Sequence, residues 1–179
     1  MKIKNKTISN IVGVVIILAI ILINNIDLFI DTDTDYETGR VIRVVDGDTA
    51  VIRVKNQDQK VRFIGMDTPE YNPSRNISEP WGKEATEFTK NLLENQIVYL
   101  EKDASDTDKY GRWLRYVWLN PPENPSRPTY EEIKNQMTNG ILVRDGYARA
   151  NEYKPDVKYT IIIRDIEQEA KIEKKGLWG

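Results

Sequence analysis

Period-two alternation over residues 39–66 constrains this chain more than any other feature. Apolar residues at every second position line one face of a strand; wound as a helix, they would scatter around the axis. Ile42 and Val44 share one side of a first strand, with Arg43 on the other. Ala50, Ile52 and Val54 share one side of a second, opposite Val51, Arg53 and Lys55. Asp46-Gly47 lies between them, a dipeptide that tight hairpins prefer. Residues 56–59 supply a second polar turn into 61–66, which completes a three-stranded meander.

The period then changes. Trp81, Ala85, Phe88 and Leu92 recur at helical spacing, and Ser78 followed by Pro80 marks a start. Two short apolar strands, 97–100 and 113–119, flank a charged loop over 102–112. The stretch NPPENPSRPT (120–129) is too rich in proline for regular structure. A helix is expected over 130–143, closing at Asp145-Gly146, and a last one carries Tyr159, Ile162, Ile163, Ile166 and Ala170 on one face. Three strands, a helix, two strands and further helices give a β-barrel with helices (α+β): a five-stranded OB-fold barrel plus about three helices, preceded by an N-terminal hydrophobic helix.

That leading segment has three lysines and then thirteen residues, 11–23, without a polar side chain. A membrane crossing takes about 20 apolar residues. The run is closer to the apolar region of a signal peptide, but no small-x-small cleavage site follows it. Residues 1–30 therefore read as a signal anchor, with a cleaved signal peptide as the alternative. Residues 31–38 read as an acidic linker and 39–179 as the folded domain. Lysines before the run and acids after it place the domain outside the cytoplasm, on the cell membrane or secreted if the segment is cleaved.

The chain has no cysteine and no histidine. Disulfides, Cys/His zinc sites and imidazole or thiol catalysis are excluded. Any enzyme here works with carboxylates, Arg, Lys, Tyr, hydroxyls or a hard metal bound through oxygen. Beyond Gly39 the charges balance at 23 of each sign. Affinity for a polyanion must then be local rather than spread over a basic surface.

Polar chemistry concentrates in three segments. Asp46-Gly-Asp-Thr49 is, taken alone, explained by its turn, and Asp67-Thr-Pro-Glu70 by a proline turn capped by Asp. Asp106-Thr-Asp-Lys-Tyr-Gly-Arg112 is, alone, a charged hairpin loop. Together they make a site for phosphodiester hydrolysis, which needs a cation, a means of activating water and clamps for the phosphoryl oxygens. Asp48 and Asp67 can give oxygen ligands to Ca²⁺, Glu70 can hold or deprotonate water, and Arg62 and Arg112 can fork onto phosphate. Fully extended, Arg62 and Asp67 would lie about 16 Å apart, a gap that an Arg side chain, a phosphate and a cation together span in large part.

The segments VVDGDTAVI, VRFIGMDTPE and TDKYGR, in this order, resemble the staphylococcal nuclease (thermonuclease) family. The similarity continues through GKEATEFTKNLL, ILVRDGYARA, EYKP and the final GLW, and covers roughly residues 40–179. It implies an OB-fold endonuclease that cleaves DNA and RNA with calcium, preferably single-stranded or frayed, as a monomer. Asp48 and Asp67 fall on the family's metal carboxylates and Thr68 on a residue giving a backbone carbonyl. Glu70 falls on the water-activating carboxylate, and Arg62 and Arg112 on the phosphate arginines. Lys109 and Tyr110 fall on contacts to the terminal phosphate, and Tyr153 on one of two tyrosines of the nucleotide pocket.

The chain departs from that pattern in places. Asn151 stands where the second tyrosine is expected, residues 71–80 carry only Arg75 in place of a lysine cluster, and the Pro-rich loop reads as an insertion. Neutral charge and Asn151 leave an alternative: a non-catalytic nucleic-acid-binding or partner-binding OB-fold module tethered to the membrane. Binding of an oligonucleotide in calcium without hydrolysis would distinguish it.

Overall fold

The computed structural model describes residues 36–179. The expected hydrophobic helix and signal segment lie outside the described residues. Strand β1 (Tyr36–Asp46) begins inside the stretch read as linker, with Tyr36 buried. It is followed by β2 (Thr49–Val54) and β3 (Gln57–Phe63), helix α1 (Gly82–Leu93), then β4 (Ile97–Glu101) and β5 (Trp113–Trp118). The strands close into a barrel in the order β1-β2-β3-β5-β4, with β4 pairing back onto β1. All pairs are antiparallel except β3 with β5. This is the expected five-stranded OB-type barrel.

The period-two pattern accounts for β2, where Ala50, Ile52 and Val54 point into the core. In β1 it does not. Val41 pairs with Ile52 and Arg43 with Val51, so Ile42 is an extra residue bulged out of the ladder. The buried positions of β1 are therefore Tyr36, Gly39 and Val41, and Ile42 and Val44 are only half-buried.

Four helices pack on the barrel. α1 starts at Gly82, one residue after Trp81, and buries Ala85, Thr89 and Leu93. The helix expected over 130–143 is two: α2 (Tyr130–Gln136) and α3 (Thr138–Arg144). Met137 between them is extended because it bridges to Trp118 of β5, while Leu119 N–H donates to the Gln136 carbonyl at 2.8 Å. Gly140 then lies against the Ile133 carbonyl, an approach that a Cβ would block. α2 opens with a capping box between Thr129 and Glu132. α4 (Thr160–Ile172) buries Ile163, Ile166 and Ala170, as its period requires. Residues 71–80 are a small hairpin, pairing Tyr71–Asn72 with Ile77–Ser78, rather than an open loop.

Candidate active site

The site starts at the turn joining β1 to β2. Asp46 pairs with Thr49, so Gly47 and Asp48 are the two turn residues. Gly47 has no space for a side chain, since a Cβ there would sit 2.6 Å from Thr68 Oγ1. Its carbonyl accepts from Thr89 Oγ1 of α1 at 2.7 Å, which pins the turn to the helix. Asp48 is thereby held inside, 1% exposed. It accepts from Thr49 Oγ1 at 3.0 Å and from the amide and hydroxyl of Thr68 at 3.2 and 3.1 Å, and it ion-pairs with Arg62.

Arg62 stands opposite Thr49 in the β2–β3 ladder, which sets its guanidinium beside Asp48. Gly65, at φ +78°, turns the chain back immediately after β3, a conformation that glycine adopts at little cost. Asp67 therefore returns alongside Arg62 and pairs with it directly. The gap of about 16 Å expected for an extended chain is closed by this turn. Met66–Asp67 also pairs with Arg149–Ala150, and Asn151 N–H donates to the Gly65 carbonyl at 3.0 Å, bringing in the loop that carries Tyr153. The Tyr153 hydroxyl accepts from Arg62 Nη2 at 3.3 Å and from Asn151 Nδ2 at 2.9 Å, and donates to Asp67 Oδ1 at 3.3 Å. Asn151 thus serves as a support for Tyr153.

Two carboxylates share one guanidinium here, and the charges do not cancel. Burial pushes Asp48 up to about 7, against the pull of Arg62. Burial also works against the Arg62 charge, but Asp48, Tyr153 and Asp67 outweigh it and raise its pKa. Arg62 gains from two acids, while each acid has only a share of one cation. Glu70 is raised as well, by burial first and then by the charge of Asp48. Its backbone is clasped by Glu79: the Glu79 amide donates to the Glu70 carbonyl, and the Glu70 amide to Glu79 Oε2, both at 2.9 Å.

Arg112 comes from the charged loop, organised by Asp108. The Asp108 carboxylate accepts from the amides of Tyr110 and Arg112 at 2.9 and 3.0 Å and from Arg112 Nε at 2.7 Å. Gly111, at φ +78°, completes the turn.

A cleft of about 460 Å³ brings together Arg62, Glu70, Lys109, Tyr110, Arg112 and Tyr153. Asp48 lies beneath Arg62, and Asp67 and Thr68 open onto an adjoining cleft. The nine residues singled out in the sequence thus gather around Arg62. Asp108, Glu79 and Thr89 were missed. The four-residue offset from Asp108 to Arg112 is an ion-pair spacing that a sequence can show; the contacts of Glu79 and Thr89 leave no local trace.

The arrangement can receive a phosphodiester: Arg62, Arg112, Lys109 and Lys154 line one cleft together with Glu70, Asp108 and Asp156, and Asp48 and Asp67 lie against Arg62 at its inner end. Comparison with known proteins agrees. The family described as "Staphylococcal nuclease homologue" matches residues 60–179. The chain is 35% identical over 176 residues to a thermonuclease of Staphylococcus hyicus, covering 93% of this chain and 96% of the relative. It is 42% identical over 147 residues to a thermonuclease of Staphylococcus intermedius, covering 82% and 79%. Endonuclease YncB of Bacillus subtilis (strain 168) is 33% identical over 139 residues, 76% of this chain and 59% of the relative. Barrel, site geometry and relatives agree: the chain belongs to the staphylococcal nuclease family.

Proposed function

We propose that this protein is a calcium-dependent endonuclease hydrolysing the phosphodiester bonds of DNA and RNA. The observation that carries the reading is Arg62, shared by Asp48 and Asp67 at the inner end of a cleft walled by Glu70 and Arg112. The relatives named as thermonucleases and endonucleases support the reaction class.

The donor set fits a hard divalent cation. Asp48 and Asp67 supply oxygen only, and one guanidinium leaves a negative charge between them uncompensated. Among the described residues no three acidic side chains stand close enough together to hold one ion, so waters and backbone carbonyls, that of Thr68 included, would complete the shell. A calcium ion held there would supply charge neutralisation at the phosphoryl oxygens. The remaining work falls to this chain's own side chains. Arg112 forks onto non-bridging oxygens, for which its planar donors are shaped, and Arg62 joins it by turning donors from Asp48 and Asp67, the carboxylates that would hold the cation. Glu70 orients or deprotonates the attacking water, and its raised pKa makes it a better base near neutrality. The new bond joins water oxygen to phosphorus as the bond to the leaving sugar oxygen breaks. Lys109 and Tyr110 meet the terminal phosphate, and Tyr153 lines the nucleotide pocket while holding Arg62.

The full chain should degrade single-stranded DNA in calcium and stop on chelation. Glu70→Gln should lower the rate by roughly 10²- to 10⁴-fold. An unchanged rate in that variant removes Glu70 from the mechanism, and oligonucleotide binding without cleavage favours the non-catalytic module instead. The lysine leader and apolar run support anchoring with the domain outside the cytoplasm. Protease added to intact cells should then digest the domain; protection would contradict this.

A further inference from the structure

A second cleft, of about 490 Å³, adjoins the first across Asp67 and Thr68, and Glu79, Trp81 and Arg149 complete its polar and aromatic lining. Trp81 is its unusual member. Its backbone is left-handed, at φ +70°, a conformation bulky side chains rarely hold without a reason in the surrounding structure. The residue is 39% exposed yet its ring is braced: Tyr147 meets it edge-on at 6.1 Å, and Phe88 stacks on Tyr147 at 4.3 Å. Gly82, next in the chain, lies so close to the Glu70 carbonyl that a Cβ would come within 2.6 Å of it. An exposed, fixed indole is therefore built onto the same backbone that carries Glu70.

The charges around it select the ligand. Glu79 would repel a phosphate within the cleft, but its carboxylate, of which only Oε2 accepts from the Glu70 amide, can accept from the amino group of a nucleobase. Arg149 adds a cation, its guanidinium 5.1 Å from the Trp178 ring centre and without a carboxylate partner among the described residues. A neutral, flat ring with amino edges, followed by a phosphate, matches this set. A base held in a duplex enters only after unpairing and unstacking, at a cost in free energy, whereas a single strand offers its bases freely.

We infer that the Trp81 cleft is a base-stacking subsite for single-stranded DNA or RNA. It takes the nucleotide on the opposite side of the scissile phosphate from the Tyr110–Tyr153 cleft. The inference rests on the nuclease reading. It also gives the chain an aromatic platform on the other flank from Asn151.

The test compares cleavage by the full chain of a single-stranded dinucleotide with that of the same substrate extended by two nucleotides at the 5′ or the 3′ end. In the wild type, extension at one end should raise kcat/KM by roughly 5- to 150-fold, the worth of one stacked base. Trp81→Ala should bring that long-to-short ratio close to one, and Trp81→Phe should keep most of it. A ratio unchanged in Trp81→Ala overturns the subsite. If the wild type cleaves neither substrate, the nuclease reading fails, and the subsite is then judged by binding alone. A phosphorothioate oligonucleotide should quench the wild-type tryptophan fluorescence, and Trp81→Phe should remove that quenching. Equal quenching in both proteins overturns the subsite. The same binding measurement decides the matter if Trp81→Ala does not fold.

Discussion

Asp48 and Glu101 are both carboxylates of the barrel, both 1% exposed, and they differ in how their cation is held. Glu101, at the end of β4, accepts from Trp118 Nε1 at 2.7 Å and from the Tyr159 hydroxyl at 2.9 Å, and pairs with Lys158. The Lys158 ammonium has no other acid on it among the described residues. Asp48 has one donor more, from Thr49 Oγ1 and the amide and hydroxyl of Thr68, but its cation is divided with Asp67. A buried acid with a dedicated cation ties structure together. A buried acid that must share one leaves a charge for something else to meet.

The comparison breaks most readily by exchanging the two acids for their amides. Asp48→Asn keeps an acceptor for the Thr68 amide and hydroxyl but removes the uncompensated charge. Its cleavage rate should fall by at least about 100-fold, the loss of several kcal/mol of charge stabilisation, while urea unfolding shifts by about 1 kcal/mol or less. Glu101→Gln should behave in the opposite sense. It turns the buried charge-assisted hydrogen bonds from Trp118 and Tyr159 into neutral ones, costing about 2 kcal/mol in urea unfolding, with the rate per folded molecule retained. If both variants lost activity alike, the division between the two acids would fail.

A smaller effect appears in pH. The Asp48 carboxyl titrates near 7 in the folded metal-free chain, well above the 3.8 of an ordinary aspartate. Between those values the folded state binds more protons than the unfolded state, so stability falls as pH rises from about 4 towards 7. Urea midpoints measured across this window should show the decline in the wild type and in Glu101→Gln, and a flatter profile in Asp48→Asn. A wild-type midpoint that rose across the window would contradict the assignment.

Much of this was legible in the chain. Ala50, Ile52 and Val54 fixed the face of β2, and Asp48, Arg62, Asp67, Glu70 and Arg112 stood out in three charged segments that the structure brings to neighbouring positions. What escaped depends on contacts distant in sequence. The bulge at Ile42 follows from pairing with β2, and the break at Met137 from its bridge to Trp118. Gly65 was visible as a residue but not as the turn that folds Asp67 onto Arg62. Trp81 read as the first residue of a helical stripe; only the structure shows it outside α1 and exposed.

Calorimetric titration of calcium into the metal-free full chain tests the shared-cation account most directly. One ion should bind with a dissociation constant of about 10⁻⁴ to 10⁻³ M, the range of extracellular modules. Glu101→Gln should bind it equally, and Asp48→Asn should show no saturable heat. Calcium binding of equal strength in Asp48→Asn and the wild type, or none in either, would contradict the account.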